Sequence, residues 1–177
     1  MSDSQKQTLN SYLTFKLGEE LFASHVENVI KILEMQHITE VPRTPDYMKG
    51  VINLRGNVLP VIDARIKFGI PQTEYNQKTC ILVLSIRIDD EQVDVGAIVD
   101  AVHDVFEYDP DKILPPPSLG SKFKSGFIDG VMKVDEKFIM ILNMNSVFST
   151  EEIIDIQEQT EKTVEKLKKD KSKKKAI

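Results

Sequence analysis

The chain has 177 residues, enough to bury a full core, with a formal net charge of −5 and the single cysteine Cys80; this excludes a disulfide-stapled scaffold and argues against nucleic acid as a partner of the body. The charge is unevenly spread, because from Glu161 onward eight lysines stand against Glu161, Glu165 and Asp170, leaving about −10 on the residues before them. No apolar run reaches bilayer length and Ser2-Asp3-Ser4-Gln5 opens no leader-like apolar core, so a cytoplasmic, reducing setting is expected.

Residues 1–11 read as a flexible N-terminus. Leu13, Phe15 and Leu17 then alternate with Tyr12, Thr14 and Lys16 as in a strand, and Gly18-Glu19-Glu20 turns the chain into Leu21-Phe22-Ala23. The next segment carries two patterns: Val26, Val29, Ile30 and Leu33 have helical spacing behind Ser24 as N-cap, whereas Val29 to Leu33 also alternates as a strand, and periodicity does not settle the boundary. Val41-Pro42-Arg43-Thr44-Pro45 is a turn, and Pro45 to Gly50 fits one helical turn stopped by Gly50.

Gly50 to Asp63 is the organising stretch. Two apolar runs flank Asn53-Leu54-Arg55-Gly56, the pattern of a buried β-hairpin with a short tip, and Pro60 in its second strand points to an edge or a bulge. Arg55 sits at the tip, where the guanidinium fork suits a partner's carboxylates or carbonyls; the alternative is a solvated arginine or one paired with an acid of its own domain such as Asp63. Strands follow from Thr79 to Ile88, Val93 to Val99 and Val102 to Tyr108, then a loop from Asp109 to Lys124 containing Pro115-Pro116-Pro117. Gly126 to Met132 and Lys137 to Leu142 form a hairpin about Asp135-Glu136. Ser149-Thr150-Glu151-Glu152 is a capping box opening a C-terminal helix whose apolar face thins after Ile156, and the lysines beyond have the composition of a solvated, disordered terminus, with an anionic membrane or nucleic acid as the other contact open to them.

An internal echo accompanies these elements. Val61-Ile62-Asp63-Ala64 with Phe68 is answered by Ile141-Leu142-Asn143-Met144 with Phe148, and Val26-Glu27-Asn28-Val29 by Val99-Asp100-Ala101-Val102. Two similar modules packed together account for it.

Reactive constellations do not emerge from the sequence. His25, His37 and His103 lie in separate segments without metal-site spacing, Cys80 sits in an apolar run as a small hydrophobe, and no Gly-rich phosphate loop is present. The expectation is a binding protein, not an enzyme, with no cofactor and no metal.

Tyr12-Leu13-Thr14-Phe15-Lys16-Leu17-Gly18, Thr44 to Gly56 ending in Asn-Leu-Arg-Gly, and Pro60-Val61-Ile62-Asp63-Ala64-Arg65, in that order, resemble the CheW family of bacterial chemotaxis coupling proteins. Val99 to Val105 and Ile113 to Pro117 extend the resemblance, which covers about Tyr12 to Glu152. It implies an all-β fold with short helices: two small five-stranded SH3-like or OB-like β-barrels on a shared hydrophobic seam, plus a C-terminal helix. The implied division is residues 1–11, a CheW-like domain over 12–152 with two intertwined barrel subdomains, and a helix with a lysine-rich tail over 153–177. It further implies a non-catalytic scaffold in the cytoplasm, recruited to membrane receptor arrays, that couples methyl-accepting chemoreceptors to the regulatory domain of the histidine kinase CheA, touching membrane only through the receptors. A related adaptor of another sensory pathway and, further off, a small-ligand-binding β-barrel are the alternatives. On this resemblance the receptor-binding residues are Arg55, Asn53, Val99 and Val102, and the kinase-binding residues are Val29, Lys31, Lys49 and Gly50. Lys31 stands where the family often has Glu, and Ala101 where it often has Gly.

Overall fold

The computed structural model describes residues 10–71, 74–116 and 125–175. The expected flexible N-terminus lies outside them up to residue 9, as do Pro117 and the rest of the loop to Lys124. Ten strands form two five-stranded antiparallel-rich sheets: β1 (Asn10–Leu17), β2 (Glu20–His25), β3 (Val29–Glu34), β4 (Met48–Leu54), β5 (Asn57–Asp63), β6 (Cys80–Ile88), β7 (Glu91–Val99), β8 (Ala101–Tyr108), β9 (Ile128–Val134) and β10 (Lys137–Leu142). Their orders are β8-β1-β2-β10-β9 and β3-β6-β7-β5-β4.

The two sheets are built alike. In each, a hairpin joins a second hairpin through a parallel pair: Ile141 opposite Ala23 in one, Ile62 opposite Ala97 in the other. In each, the linker between hairpins comes back to bridge an outer strand, Thr39 to Val51 and Leu114 to Val131, curling the sheet into a barrel. Each parallel strand ends in a capped helical turn, where Asp63 accepts from the Arg65 N–H ahead of α1 (Ala64–Lys67) and Asn143 from the Asn145 N–H ahead of α2 (Met144–Val147). This is the sequence echo in three dimensions. The exchange between modules is what the echo does not reveal: β3 follows β2 of the first barrel but pairs in the second, and β8 follows β7 of the second but pairs in the first.

Three apolar clusters result. Ile52, Leu59, Val61, Ile81, Val83 and Ile98 fill one barrel, while Tyr12, Ala23, Met132, Ile139 and Ile141 fill the other. The largest lies between them, where Leu13, Phe15 and Leu17 meet Leu82, Val99 and Phe148. β1 is therefore buried on both faces, and Thr14, on the supposedly polar face, is satisfied by hydrogen bonds to and from the Asp104 backbone at 2.9 and 3.0 Å.

Local expectations fare unevenly. The hairpin is present as drawn. Pro60 lies in an interior strand, but Val51 opposite it turns its N–H and C=O to Thr39, and β5 pairs with β7 only from Val61 onward, so the missing N–H falls where the ladder has no partner for it. The ambiguous segment resolves into a 3₁₀ turn at Val26–Asn28 and then strand β3; its N-cap is His25, not Ser24, whose side chain is buried. Pro45 to Met48 is a β-turn closed by Met48 N–H to Pro45 O, not a helical turn, and Gly50 belongs to the strand after it.

The capping box forms in full: Glu152 N–H donates to Ser149 Oγ at 3.1 Å and Ser149 N–H to Glu152 Oε1 at 3.2 Å. Helix α3 (Thr150–Lys175) then continues through the lysines expected to be disordered. Lysine is a good helix former, the segment holds no Gly or Pro, and Glu158–Lys162 and Glu165–Lys169 are i, i+4 pairs of favourable order.

Candidate functional site

The β4–β5 tip is a type I′ turn, with Arg55 at φ 52° and Gly56 at φ 86°. That geometry matches the twist of the flanking strands and holds the tip short. Asn53 Oδ1 accepts the Gly56 N–H at 2.9 Å, locking the turn from within. Arg55 is exposed, and no ion pair among the described residues involves it. The acid proposed as its internal alternative is taken: Asp63 accepts from Arg65 Nε at 3.2 Å and Nη2 at 3.0 Å.

Behind the tip, Arg65 joins the two barrels. Its Nη1 donates to Asp100 Oδ1 at 3.0 Å, and Asp100 Oδ2 accepts the Gly18 N–H of the β1–β2 turn at 2.7 Å. Tyr75 donates to Asp63 Oδ2 at 3.1 Å and lays its ring 5.1 Å from the guanidinium carbon. Burial pulls the Asp63 carboxyl upward, but the Arg65 hydrogen bonds and charge outweigh it and hold the group below the usual carboxylate range. Burial and the neighbouring Asp63 push the Tyr75 phenol up to about 12. This network braces the hairpin against the other barrel; both carboxylates and the guanidinium are committed to it, which leaves Arg55 as the cation presented outward.

A second brace seats α3. Lys67 pairs with Glu152 and lies 4.7 Å from the Tyr47 ring centroid and 5.3 Å from that of Phe148. Burial opposes the Glu152 charge, yet Lys67, the Ser149 N–H and Tyr47 together hold its carboxyl low. Thus anchored, α3 runs alongside the hairpin, and an open groove of about 210 Å³ separates Asn53, Gly56 and Val58 from Val164, Leu167 and Lys168.

The structure sorts the remaining candidates. Val99 is 1% exposed within the seam, so it packs the core and is unavailable to a partner, a correction to its place in the docking set. Val102, on β8 of the other sheet, is half-buried against the seam. Gly50 is buried too: a Cβ there would lie 2.0 Å from Thr39 O, so glycine is needed for barrel closure rather than for contact. Val29 and Lys31 are half-buried on edge strand β3, and Lys49 half-buried at the β4 bulge on the opposite edge. The sequence reading missed Ile30 and Ile32, which are 47% and 48% exposed on that same β3 edge. Strand periodicity over Val29 to Leu33 held the signal, hidden by the competing helical spacing.

Among the described residues no cluster of three or more His, Cys, Asp or Glu side chains is placed to hold a metal. Burial pushes the Cys80 thiol up, away from reactivity. No described helix is long and apolar enough to cross a membrane.

Two interlocked five-stranded barrels on a shared seam, with a braced hairpin at one tip, define a class of small two-barrel domains. The CheW-like domain model matches residues 11–152, and the chain belongs to that family. It is 31% identical over 142 residues to the chemotaxis protein CheW of Klebsiella aerogenes, covering 80% of this chain and 83% of that protein. It is 32% identical over 155 residues to the CheW of Rhizobium meliloti, covering 86% and 97%. Protein FrzA of Myxococcus xanthus is 27% identical over 149 residues, covering 83% and 90%. Among solved structures, the scaffolding protein TtCheW from Thermoanaerobacter tengcongensis superposes with a TM-score of 0.71 at 33% identity, covering 81% of this chain and 95% of that one.

Proposed function

We infer that the protein is a non-catalytic chemotaxis adaptor that couples methyl-accepting chemoreceptors to the histidine kinase CheA, working in the cytoplasm at receptor arrays. The observation that carries this reading is Arg55, exposed at the tip of a braced turn without an ion-pair partner among the described residues. An Arg in the left-handed region costs about 1 kcal/mol, and no ion pair of that arginine among the described residues offsets it. A receptor's helical tip gains a fixed fork for its carboxylates there, with Asn53 holding the turn. The kinase surface is assigned to the β3 edge, where the exposed Ile30 and Ile32 supply apolar contact beside Val29 and Lys31, with Lys49 of the same sheet on its opposite edge strand β4. The adaptor then holds receptor and kinase at fixed separation, so that a receptor change shifts the kinase between active and inactive populations.

The test is co-sedimentation with receptor-bearing membranes and purified CheA, reading ATP turnover at the same time, for wild type, Arg55→Glu and Ile32→Asp, each first shown to melt as wild type does. Wild type couples; Arg55→Glu loses receptor but keeps CheA, and Ile32→Asp does the reverse. Failure of wild type to couple cognate partners removes the chemotaxis assignment. One relative in the same family, protein FrzA, does not carry the name of a chemotaxis protein, and this leaves one other reading, an adaptor of a different sensory pathway. Under it, a deletion strain swims up chemical gradients normally and fails in another directed behaviour.

A further inference from the structure

The family match ends at residue 152, yet α3 runs on to Lys175 past the Arg55 hairpin. Its anchoring weakens along the way: Ile153, Ile156 and Thr160 are buried, Val164 is half-buried and Leu167 is 40% exposed. Val164, Leu167 and Lys168 share one helical stripe, and this stripe is the far wall of the groove beside Asn53, Gly56 and Val58. Charge sorts along the helix. Among the described residues Lys168 is the one charged side chain lining that groove, whereas the groove two turns earlier on the same face of α3, against β5 and β7, is lined by Asp94 and Glu161. Lys162 and Lys166 fall on the opposite face and line neither.

The geometry points to a composite docking site in which the distal half of α3 is the second wall of the Arg55 surface, built for an acidic, amphipathic helix. The partner's apolar side chains lie between Val58 and the pair Val164 and Leu167, and its carboxylates meet Arg55 and Lys168. A helix fits and an added strand does not, because the outer edge of β4 is already bridged at Val51 by Thr39. An acidic partner fits because Lys168 on the groove wall and Arg55 at the tip beside it are cationic; the body before Glu161, at about −10, repels anionic surfaces elsewhere, so these local cations decide where one settles. The inference rests on the hairpin being the receptor-docking element and adds α3 to it.

Titration calorimetry against a soluble fragment of a chemoreceptor's cytoplasmic helical hairpin, from the same organism, tests this with wild type, Arg55→Glu, Lys168→Glu, Leu167→Ala and Lys166→Glu. The exposed lysines and Leu167 tolerate exchange, which an unchanged melting transition verifies. Lys168→Glu weakens binding about tenfold and Leu167→Ala about threefold, while Lys166→Glu, the same charge change on the opposite face, costs about twofold or less at physiological salt. If Arg55→Glu abolishes binding but Lys168→Glu does no more than Lys166→Glu, α3 is not a wall and the inference fails while the hairpin reading stands. Tighter binding by Lys168→Glu or Leu167→Ala makes α3 a cover over the hairpin and also overturns it. Wild-type affinity in Arg55→Glu removes the hairpin reading and the inference together.

Discussion

Replacing Arg65 with Met removes the cation that joins the barrels while keeping most of the stem's volume. Arg65 is 1% exposed and bonds Asp63 and Asp100, so the variant leaves two carboxylates in a site shaped around a guanidinium. Breaking a buried ion pair from one side costs about 3–5 kcal/mol. The lower end applies, because Asp63 keeps the Tyr75 hydroxyl and Asp100 keeps the Gly18 N–H. A loss of about 3 kcal/mol, at about 2–4 °C per kcal/mol for a chain of this size, lowers Tm by about 6–12 °C. The pH dependence is the sharper discriminator. In wild type the Asp63 carboxyl is held low, so its contribution is complete above the unfolded value of about 4 and is lost as pH falls through the folded value. Without the Arg65 side chain, burial is opposed only by the backbone N–H at position 65 and the Tyr75 hydroxyl, so the carboxyl rises from its wild-type value and the native state takes up its proton at higher pH than wild type does. Urea unfolding from pH 8 down to about 4.5 therefore shows the gap between wild type and Arg65→Met closing with acid. A gap that stays constant or widens refutes the assignment of Arg65 as the counter-charge of a buried carboxylate.

Arg55→Asn relieves the left-handed strain and raises Tm by about 1–3 °C while abolishing receptor coupling; a lower Tm would reveal an intramolecular contact of the arginine. Gly50→Ala destabilises by about 3 kcal/mol or more, since the new methyl meets the backbone oxygen of Thr39, whereas Gly56→Ala, with open space around its Cβ, costs only about 1 kcal/mol of left-handed strain, as paired thermal melts will show. Glu152→Gln weakens the seating of α3 by about 1 kcal/mol at neutral pH. Because that carboxyl is held low in the fold, the wild-type advantage disappears as pH falls below about 4, read as converging urea midpoints.

Features written in consecutive residues were legible. The Arg55-Gly56 tip, the capping box of Ser149 and Glu152, and the answering pairs Asp63 and Asn143 each depend on a few neighbouring side chains and the backbone between them. Val99 shows where that legibility stops: an alternating apolar strand has two faces, and the pattern does not tell which residues meet a second sheet and which meet a partner. β1 makes the same point, since Tyr12 fills a barrel while Leu13 fills the seam. Ile30 and Ile32 were hidden for a different reason, a segment short enough to satisfy both periods. Arg65, read only as one residue of a family motif, owes its role to Asp100, 35 positions away, a separation no local pattern encodes.

The exchange of β3 and β8 between modules bears directly on how an adaptor of this form works. Two barrels joined by a linker would let a load on one face be absorbed by a hinge between them. Here each barrel contains a strand delivered by the other, the Leu82, Val99 and Phe148 seam lies between, and Arg65 holds Asp63 of one module to Asp100 at the entry of β8. Moving one barrel against the other therefore means breaking strand ladders and a buried ion network, at a cost comparable to unfolding rather than to domain reorientation. On the proposed reading the Arg55 hairpin and the β3 edge both belong to the second barrel, and β3 is the strand the first barrel supplies. A displacement imposed at the hairpin thus reaches the kinase-facing edge as displacement of a rigid body, which is the property that lets a protein without chemistry of its own transmit a signal between two others.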